Sequence, residues 1–498
     1  MTAPAPPPES QTDVDVLVIG SGFSGIGMGA ALKREGRNGK KGRSFLILEQ
    51  AADLGGTWRD NRYPGCACDV PSALYSFSFA PNPDWSRAFS PQPEIWDYLR
   101  RVAETEGLAP HFRFNAAVVD ARWEEAAGRW RLSAADGRSW TAAVVVAGTG
   151  ALSRPARPAI EGLDDFEGDI VHSAQWRDEV AFEGKRIAVV GTGASAIQIV
   201  PELAPLAERL TVFQRTPAWI IPKPDRAIAP ETRARFAREP WRQQFWRLFI
   251  YAMLEKNAAG RIHPPLAAGP TRLARRHLAA QIPDPELRAK LTPDYKLGCK
   301  RVLISDDFYP ALMRDNLDLE TSPIARVSAG GVVTADGREI PADVIVLATG
   351  FEVTNPESDP LEVHGRGGLR LKEAWRDGAQ AHLGITVAGF PNWYLLMGPN
   401  TGLGHNSMIY MIESQIAYVM SALARMDERS LRALEVRPEA QARFIAEMDR
   451  RMAGTVFSSG CKSWYIGERQ RNTTVWPGFT FDYRRRTREI QLADYRAD

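Results

Sequence analysis

The sequence predicts an α/β protein in which one dinucleotide-binding unit is nested inside another. Two glycine-rich turns each join an apolar strand to a helix-forming stretch, the arrangement that binds a pyrophosphate. Each turn is followed further along by an apolar stretch suited to a strand buried on both faces, at residues 142–150 and 342–351. Between residues 222 and 298 helical stretches replace this alternation. The predicted fold class is therefore α/β, with two nested Rossmann-like dinucleotide-binding domains and a helical insertion.

The first turn lies in "DVDVLVIGSGFSGIGMGAALKREG", residues 13–36. Gly20 permits the tight turn, Gly22 lets a pyrophosphate approach the backbone, and Gly25 lets the helix pack closely on the strand. The next strand, in "SFLILEQ", leads to Glu49, whose carboxylate can bind a ribose 2′-hydroxyl and would repel a 2′-phosphate. An ordinary glycine-rich turn is the alternative, which the strand–helix–strand context disfavours.

The second turn lies in "KRIAVVGTGASAIQIVPELA", residues 185–204, with Gly191, Gly193 and Ala196 in the variant pattern G-x-G-x-x-A. The strand that follows leads to Arg215 and Thr216, where the first unit has its glutamate. Arginine at this point suits a 2′-phosphate, with a surface arginine as the alternative. The two units together predict FAD beside NADPH.

The nesting divides the chain into four predicted regions. Each dinucleotide-binding domain is built from two separate segments, because the second unit interrupts the first and the helical stretch interrupts the second. The predicted regions are a disordered tail at 1–13, an FAD-binding domain at 14–155 and 382–498, an NADPH-binding domain at 156–221 and 299–381, and a helical insertion at 222–298.

Composition argues against several function classes. A net charge of +2 gives no overall attraction to nucleic acid or to an anionic membrane. The sequence has no apolar window long enough to predict a transmembrane segment, and its first residues lack the pattern of a secretory signal. Four cysteines in 498 residues do not predict a disulfide framework, so a cytoplasmic location is expected. The scattered histidines and cysteines predict no metal site.

A short fingerprint lies between the two units, in "FEGDIVHSAQWRD", residues 166–178. It follows the pattern F-x-G-x-x-x-H-x-x-x-W-[P/D], except that Arg177 occupies the last position. The four matching residues are Phe166, Gly168, His172 and Trp176.

A longer signature, [A/G]-G-x-W-x-x-x-x-[F/Y]-P-[G/M]-x-x-x-D, matches completely in "GGTWRDNRYPGCACD", residues 55–69, including Trp58 and Asp69. On these two patterns the chain resembles the type I Baeyer–Villiger monooxygenases, a branch of the class B flavin monooxygenases, over essentially its whole length. The stretches "SWY" and "RNTTVWPGFTFDYRRRTR" resemble the 4-hydroxyacetophenone monooxygenase subgroup within that family.

The resemblance implies a reaction. NADPH reduces FAD, the reduced flavin takes up O2 to form a C4a-peroxide, and this anion attacks a small-molecule ketone to give an ester or a lactone. The protein is expected to supply a positive charge that is never lost, which favours arginine. By resemblance this residue is Arg301 in "LGCKRVLISDDFY", and Asp69 is its partner.

Further roles follow from the same resemblance. Trp58 belongs to the flavin-binding signature, Lys300 is expected to bind the NADPH phosphate, and Trp464 is expected near the NADPH ribose. The fingerprint with His172 and Trp176 is expected to act as a domain linker that governs relative movement of the two domains. The helical insertion is expected to wall the substrate channel.

Several alternatives stay open at the level of sequence. A related monooxygenase acting on sulfur or nitrogen would share both units, and so would a disulfide reductase using Cys66 and Cys68, although their C-x-C spacing favours structural thiols. His405 invites a catalytic role, but a hydrogen-bonding histidine beside a helix cap at Asn406 or Ser407 is favoured. For the helical insertion, a peripheral membrane contact is the second interpretation, which its mixed flanking charges make less attractive. Oligomeric state and the choice among aryl, cyclic and linear ketones are not indicated.

Overall fold

The computed structural model describes residues 12–37, 42–353, 359–461, 463, 465 and 471–498. Within these residues the chain alternates strands and helices in both halves, as the patterns predict. The strands are β1 (Thr12–Ile19), β2 (Phe45–Leu48), β3 (Phe112–Arg113), β4 (Val118–Glu124), β5 (Arg129–Ala134), β6 (Ser139–Ala147), β7 (Asp169–His172), β8 (Arg186–Val190), β9 (Arg209–Phe213), β10 (Ile220–Ile221), β11 (Leu303–Ile304), β12 (Leu317–Glu320), β13 (Ile324–Ser328), β14 (Gly331–Thr334), β15 (Glu339–Pro341), β16 (Val344–Leu347), β17 (Glu362–His364), β18 (Trp393–Leu395), β19 (Leu434–Val436) and β20 (Tyr495–Ala497).

The helices cover the sheets and form a separate cluster between β10 and β11. They are α1 (Phe23–Arg37), α2 (Thr57–Asp60), α3 (Gln92–Thr105), α4 (Ala196–Leu203), α5 (Pro230–Arg238), α6 (Pro240–Ile262), α7 (Ala268–Gln281), α8 (Pro285–Lys290), α9 (Phe308–Leu312), α10 (Leu371–Ala374), α11 (Met408–Arg429), α12 (Pro438–Met452) and α13 (Thr480–Arg486). None of these helices is long and apolar enough to cross a membrane.

The first sheet is built around β1, which pairs in parallel with β2 on one side and β6 on the other. Its strand order is β17-β4-β5-β6-β1-β2-β3, and β18 pairs with the end of β6. Val16, Leu17 and Val18 of β1 are fully buried because helices or strands cover both faces of this central strand. Strands β17 and β18 follow the second unit in sequence, so the chain returns to the first sheet after it. The return comes earlier than predicted, because β17 lies within residues 299–381, the segment expected in the NADPH-binding domain, and yet pairs with β4 of the first sheet.

The second sheet consists of parallel strands in the order β12-β9-β8-β16-β7. Strand β8 is central and β16 joins it to the edge strand β7. The two apolar stretches predicted to be central strands are therefore β6 and β16, each paired on both sides. The prediction of two nested Rossmann-like units is confirmed.

Two details differ from the expectations. The fingerprint is not only a connection, because residues 169–172 form β7, whose backbone pairs with Val344–Leu347 of β16. Strand β1 begins at Thr12, inside the region 1–13 predicted as a tail; residues 1–11 lie outside the described residues.

The cysteines also differ from the expectation of unpaired thiols. Cys299 and Cys461 form a disulfide, with their Cα atoms 6.3 Å apart. They are separated by 162 residues, so their spacing along the chain carries no signal of the pairing. Cys66 and Cys68 are free and buried, as structural thiols would be.

Candidate active site and cofactor sites

In the first glycine-rich turn, Gly20 and Gly25 leave no room for a side chain, whereas the middle glycine, Gly22, has no close neighbour. Gly20 has a φ of +94°, and a Cβ there would lie 2.6 Å from the carbonyl oxygen of Gly148. A Cβ at Gly25 would lie 1.8 Å from the carbonyl oxygen of Gly20, so helix α1 meets the turn without room for a side chain. At Gly22 the nearest atom to an added Cβ, the Cα of Gly56, is 3.8 Å away. The turn therefore fits a pyrophosphate approaching at Gly22.

Glu49 lies buried directly behind this turn. One carboxylate oxygen accepts hydrogen bonds from the backbone nitrogen of Ser21, at 3.0 Å, and from its hydroxyl group, at 2.6 Å. The other oxygen accepts from the Arg59 guanidinium at 3.0 Å. The carboxylate is thus fixed at the end of β2, at the place where a ribose hydroxyl would reach it.

The long signature fills the space between the two glycine-rich turns. At its start, the backbone nitrogen of Gly55 donates to the carbonyl oxygen of Ser21 at 3.0 Å. In its middle, the Tyr63 hydroxyl donates to the Gln198 side chain on α4 at 2.8 Å, and a Cβ at Gly65 would lie 2.7 Å from the carbonyl oxygen of Gln198. The signature is therefore a spacer that sets one cofactor unit against the other.

Trp58 has a packing role within this spacer. Its side chain is buried against the first unit, and its indole nitrogen donates to the Tyr75 hydroxyl at 3.0 Å. The two rings meet edge to face with centroids 5.5 Å apart. The indole N–H of Trp58 is therefore satisfied within the protein by Tyr75.

The second turn repeats the geometry of the first. Gly191 has a φ of +116°, and a Cβ there would lie 2.6 Å from the carbonyl oxygen of Ala348. At Gly193 nothing lies within 4 Å of an added Cβ. Ala196 is the first residue of α4 and is fully buried. This turn is therefore also open at its second glycine, the position where a pyrophosphate would approach.

Two cations meet beside the second turn. The Thr192 hydroxyl donates to the carbonyl oxygen of Thr216 at 3.2 Å, which fixes the segment after β9 against the turn. Burial lowers the pKa of Lys300, and the positive charge of Arg215 lowers it further. A lysine and an arginine whose charges act on each other suit the doubly charged 2′-phosphate of NADPH.

Arg301 lies next to Lys300 and reaches across to the long signature. Its Nε donates to Oδ2 of Asp69 at 3.1 Å, and its Nη2 donates to the same oxygen. The charge of Asp69 raises the pKa of Arg301 further above its ordinary value, against the opposing effect of burial. The two side chains keep 35% and 30% of their surface exposed. This ion pair therefore presents a permanently charged, oriented guanidinium between the two units.

The two thiols near Asp69, those of Cys66 and Cys68, are unreactive. Burial raises the pKa of Cys66 to about 12 and raises that of Cys68 well above its usual value. Both thiols therefore stay protonated at neutral pH, whereas a redox-active pair needs a thiolate. The described residues contain no group of three or more His, Cys, Asp or Glu placed to hold a metal ion.

The fingerprint residues pack within the second unit. Phe166 and Trp176 are buried, and Trp176 stacks on Phe182 with centroids 5.1 Å apart. Gly168 is required because a Cβ would lie 2.3 Å from the carbonyl oxygen of Asp343. His172 ends β7, where its Nδ1 accepts from the backbone nitrogen of Ala174 at 3.1 Å.

His172 is also close to the chain segment that connects the two units. Its Nε2 lies 3.4 Å from the Thr349 hydroxyl, which donates to the carbonyl oxygen of Ala156 at 2.6 Å. Burial lowers the pKa of His172, so the ring is neutral at physiological pH. The histidine thus joins the edge of the second sheet to the crossing between units.

One residue of this region was missed by the sequence analysis. Arg261, near the end of α6, donates to the carbonyl oxygen of Gly404. Its pKa is lowered to about 10, first by burial and also by the positive charge of Arg301, which places a second guanidinium near the first. Arg261 stands among many basic residues of the helical segment, so the sequence offered no signal that would single it out.

The start of helix α11 is held by a buried polar cluster. Ser407 caps the helix, accepting from the backbone nitrogen of Ile409 at 3.3 Å, as predicted. Asn406 donates to the Glu255 carboxylate at 2.6 Å, and Nε2 of His405 lies 3.7 Å from the same oxygen. His405 therefore lies near the cap and beside Glu255, as the favoured interpretation expects, but at 3.7 Å its Nε2 is within ion-pair distance and not within hydrogen-bond distance. Trp464 lies outside the described residues, so its predicted role stays a prediction.

Comparison with known proteins identifies the family. The model of the flavin-binding monooxygenase-like family matches residues 13–360. The chain belongs to this family. It is 48% identical over 480 residues to a Baeyer–Villiger monooxygenase of Pseudomonas aeruginosa, covering 96% of this chain and 90% of the relative.

Solved structures agree with this result. A steroid monooxygenase bound to NADP superposes with a TM-score of 0.87 at 31% identity, covering 98% of this chain and 99% of that one. A structure of OTEMO in complex with FAD and NADP superposes with a TM-score of 0.86 at 27% identity, covering 97% and 99%. The predictions of an NADPH-dependent flavoprotein monooxygenase of the Baeyer–Villiger type, and of FAD and NADPH as its cofactors, are confirmed by these relatives.

Proposed function

We propose that this protein inserts an oxygen atom beside the carbonyl group of a ketone, with Arg301 as the catalytic residue and Asp69 as the residue that positions it. FAD, reduced by NADPH, supplies the activated oxygen from O2 when both cofactors are bound. The supporting observation is the Arg301–Asp69 ion pair, which keeps the guanidinium charged and oriented. Since Nε and Nη2 engage Asp69, Nη1 is the group we assign to the carbonyl oxygen as negative charge builds on it.

We assign one cofactor to each unit and keep the predicted domain boundaries, except that β1 already begins at Thr12 and that β17 (Glu362–His364) belongs with the first unit, because it pairs with β4. The open positions at Gly22 and Gly193 support this assignment. The FAD-binding residues are Gly20, Gly22, Gly25, Glu49, Trp58 and Asp69. The NADPH-binding residues are Gly191, Gly193, Ala196, Arg215, Thr216, Lys300 and Trp464. Phe166, Gly168, His172 and Trp176 would couple the second sheet to the crossing between the units.

The helical segment would wall the substrate channel. A cavity of about 590 Å³ lies beside it, lined by Pro264 and Thr271 from this segment and by Trp219, Tyr295 and Val456. Tyr295 contacts Lys300, whose Nζ lies 4.8 Å from the ring centroid, so the cavity adjoins the segment that carries the catalytic arginine. Aryl ketones are our first choice of substrate because the C-terminal stretches resemble the 4-hydroxyacetophenone monooxygenase subgroup.

Two further assignments concern the compartment and the second candidate activity. A cytoplasmic location agrees with the free, protonated Cys66 and Cys68, although the Cys299–Cys461 disulfide is unusual for such a compartment. Oxidation of sulfur or nitrogen is the second candidate activity. It builds no negative charge on a carbonyl oxygen, so it would leave Arg301 without a function.

The test is product analysis with purified, FAD-loaded protein, NADPH and air. Aryl, cyclic and linear ketones are compared with a sulfide and an amine. We expect an ester or lactone from at least one ketone class, formed with consumption of NADPH. Turnover of only the sulfide and the amine would contradict the carbonyl assignment. Oxidation of NADPH coupled only to reduction of O2 to hydrogen peroxide, with no ester or lactone from any ketone, would also contradict it.

A further inference from the structure

Helix α6 has its polar and apolar faces reversed relative to an ordinary surface helix. Its inward face carries polar residues at a spacing of four: Gln243, Arg247, Tyr251 and Glu255. Gln243 donates to the carbonyl oxygen of Asn82, and Arg247 donates to that of Ala73 at 3.0 Å. The Tyr251 hydroxyl lies 3.0 Å from the Thr480 hydroxyl, and Glu255 is held by Asn406. Hydrogen bonds thus attach this side of the helix, together with packing of the buried Ile250 and Ala258.

The outward face of α6 is apolar and exposed. Thirteen large apolar side chains are exposed in the described part of the chain, and eight of them lie between residues 241 and 273. On α6, Trp241, Phe245 and Leu248 are 59%, 67% and 61% exposed, and they follow one another at helical spacing. The eight residues, which we call the outer apolar face, are Trp241, Phe245, Trp246, Leu248, Phe249, Met253, Leu266 and Leu273.

An isolated exposed leucine needs no explanation, but a contiguous aromatic and aliphatic face of this kind marks a contact surface. Its neighbours are strongly basic. Without the inward-facing Arg247, Arg261 and Glu255, residues 230–281 hold eight lysines and arginines against two glutamates, in a chain whose overall net charge is only +2. Arg242 stacks on Trp241 with its guanidinium carbon 4.5 Å from the ring centroid, and Arg272, Arg275 and Arg276 are exposed on α7 near Leu273.

The structure points to an anionic lipid surface as the partner of the outer apolar face, and we propose that the enzyme docks reversibly on such a membrane through helices α6 and α7. Tryptophan, phenylalanine and leucine would enter the boundary between headgroups and acyl chains, while the surrounding arginines would attract the headgroup phosphates. The sequence analysis disfavoured a membrane contact because of the low overall net charge and the mixed charges flanking these helices. The exposed arginines of α6 and α7 reverse that interpretation, since electrostatic attraction to a membrane acts within about a Debye length of its surface. A second copy of the chain fits less well because two equally basic faces would repel.

The test uses the FAD-loaded enzyme with vesicles of phosphatidylcholine alone or mixed with phosphatidylglycerol, separated by sedimentation. We expect binding to the mixed vesicles that weakens with added salt, and weak binding to phosphatidylcholine alone. The double variant Phe245→Glu/Leu248→Glu should lower the bound-to-free ratio by about tenfold or more. Leu206→Glu is the matched control, because Leu206 is also exposed, at 46%, but lies outside this face.

Neither variant should change the rate of NADPH oxidation without vesicles, since none of these residues belongs to the cofactor or active sites. Failure of the wild-type enzyme to bind mixed vesicles would overturn the proposal, and so would equal binding by the double variant. Sedimentation velocity tests the other possible occupant of this face. If the wild type is a dimer, the double variant is a monomer and neither binds vesicles, then the outer apolar face is a contact between two copies of this chain. These outcomes are independent of which ketone the enzyme oxidises.

Discussion

Replacing Arg301 tests the proposed chemistry most directly. Arg301→Ala removes the guanidinium that Nε and Nη2 anchor to Asp69 and that Nη1 would offer to the carbonyl oxygen. Loss of one donor to a developing oxyanion costs about 10²–10³ in kcat. We therefore expect ester formation to fall by about that factor, while NADPH still bleaches the flavin because the two cofactor turns are untouched. Arg301→Lys should lie between, since it keeps the charge but loses the planar fork.

Asp69→Asn separates positioning from catalysis. The amide oxygen still accepts a hydrogen bond, so the arginine stays near its place but loses its charged partner. A charge-assisted hydrogen bond exceeds a neutral one by about 1 kcal/mol, and with both side chains about a third exposed we expect at most about a fivefold loss in kcat. KM for the ketone should change little.

The assay measures ester by chromatography and NADPH by absorbance in the same samples, so that oxygenation is separated from wasteful oxidation. Arg485→Ala is the matched control, because Arg485 is 79% exposed on α13, far in sequence from this pair. Ester formation by Arg301→Ala at the wild-type rate would refute the assignment. An equally severe loss in Asp69→Asn would show that the carboxylate does more than position its partner.

Three further changes have defined outcomes. Gly25→Ala places a Cβ 1.8 Å from a backbone oxygen and should destabilise the fold by about 3 kcal/mol, measured as a lower Tm and loss of FAD. Gly193→Ala is the contrasting variant, because nothing lies within 4 Å of its Cβ; it should fold normally and raise only KM for NADPH. The pKa of Lys300 is lowered, so this side chain loses its positive charge at a lower pH than an ordinary lysine does. KM for NADPH should therefore rise toward alkaline pH. Lys300→Arg should abolish that rise, because arginine keeps its charge. A reductant should lower the Tm of the wild type by an amount equivalent to about 2–4 kcal/mol, because it breaks the Cys299–Cys461 disulfide. The Tm of Cys461→Ser, which cannot form this disulfide, should not change. Equal responses would show that the disulfide does not stabilise the native enzyme.

The features that sequence predicted well are those that depend on neighbours in the chain. A strand, a turn and a helix follow one another directly around Gly20 and again around Gly191, so the residue pattern is enough to give their geometry. Glu49 could be placed for the same reason, because a second parallel strand must end beside the first turn. The ends of strands differ from the predicted ends by only a few residues. Strand β1, for example, begins at Thr12, because pairing with β6 extends it beyond its apolar residues.

Contacts between distant segments could not be predicted in this way. The Cys299–Cys461 disulfide, the pairing of β7 with β16, and the electrostatic effect of Arg301 on Arg261 each involve residues that are far apart in sequence and close only in the folded chain. The Arg301–Asp69 pair was predicted only because a family resemblance supplied both partners. Without it, each would have been one charged residue among many.

The orientation of helix α6 is another feature that the sequence alone did not predict. Its sequence combines aromatics, arginines and polar residues all round the helix, so hydrophobic periodicity alone could not tell which face is buried. The buried carboxylate of Glu255 and the buried amide of Gln243 decide the orientation, because each finds its hydrogen-bond partners in segments far along the chain. Once these partners fix the inner face, Trp241, Phe245 and Leu248 must point outward. The exposed apolar surface is therefore a consequence of buried polar contacts, and an exposed apolar surface of this kind is typical of a site that binds another surface.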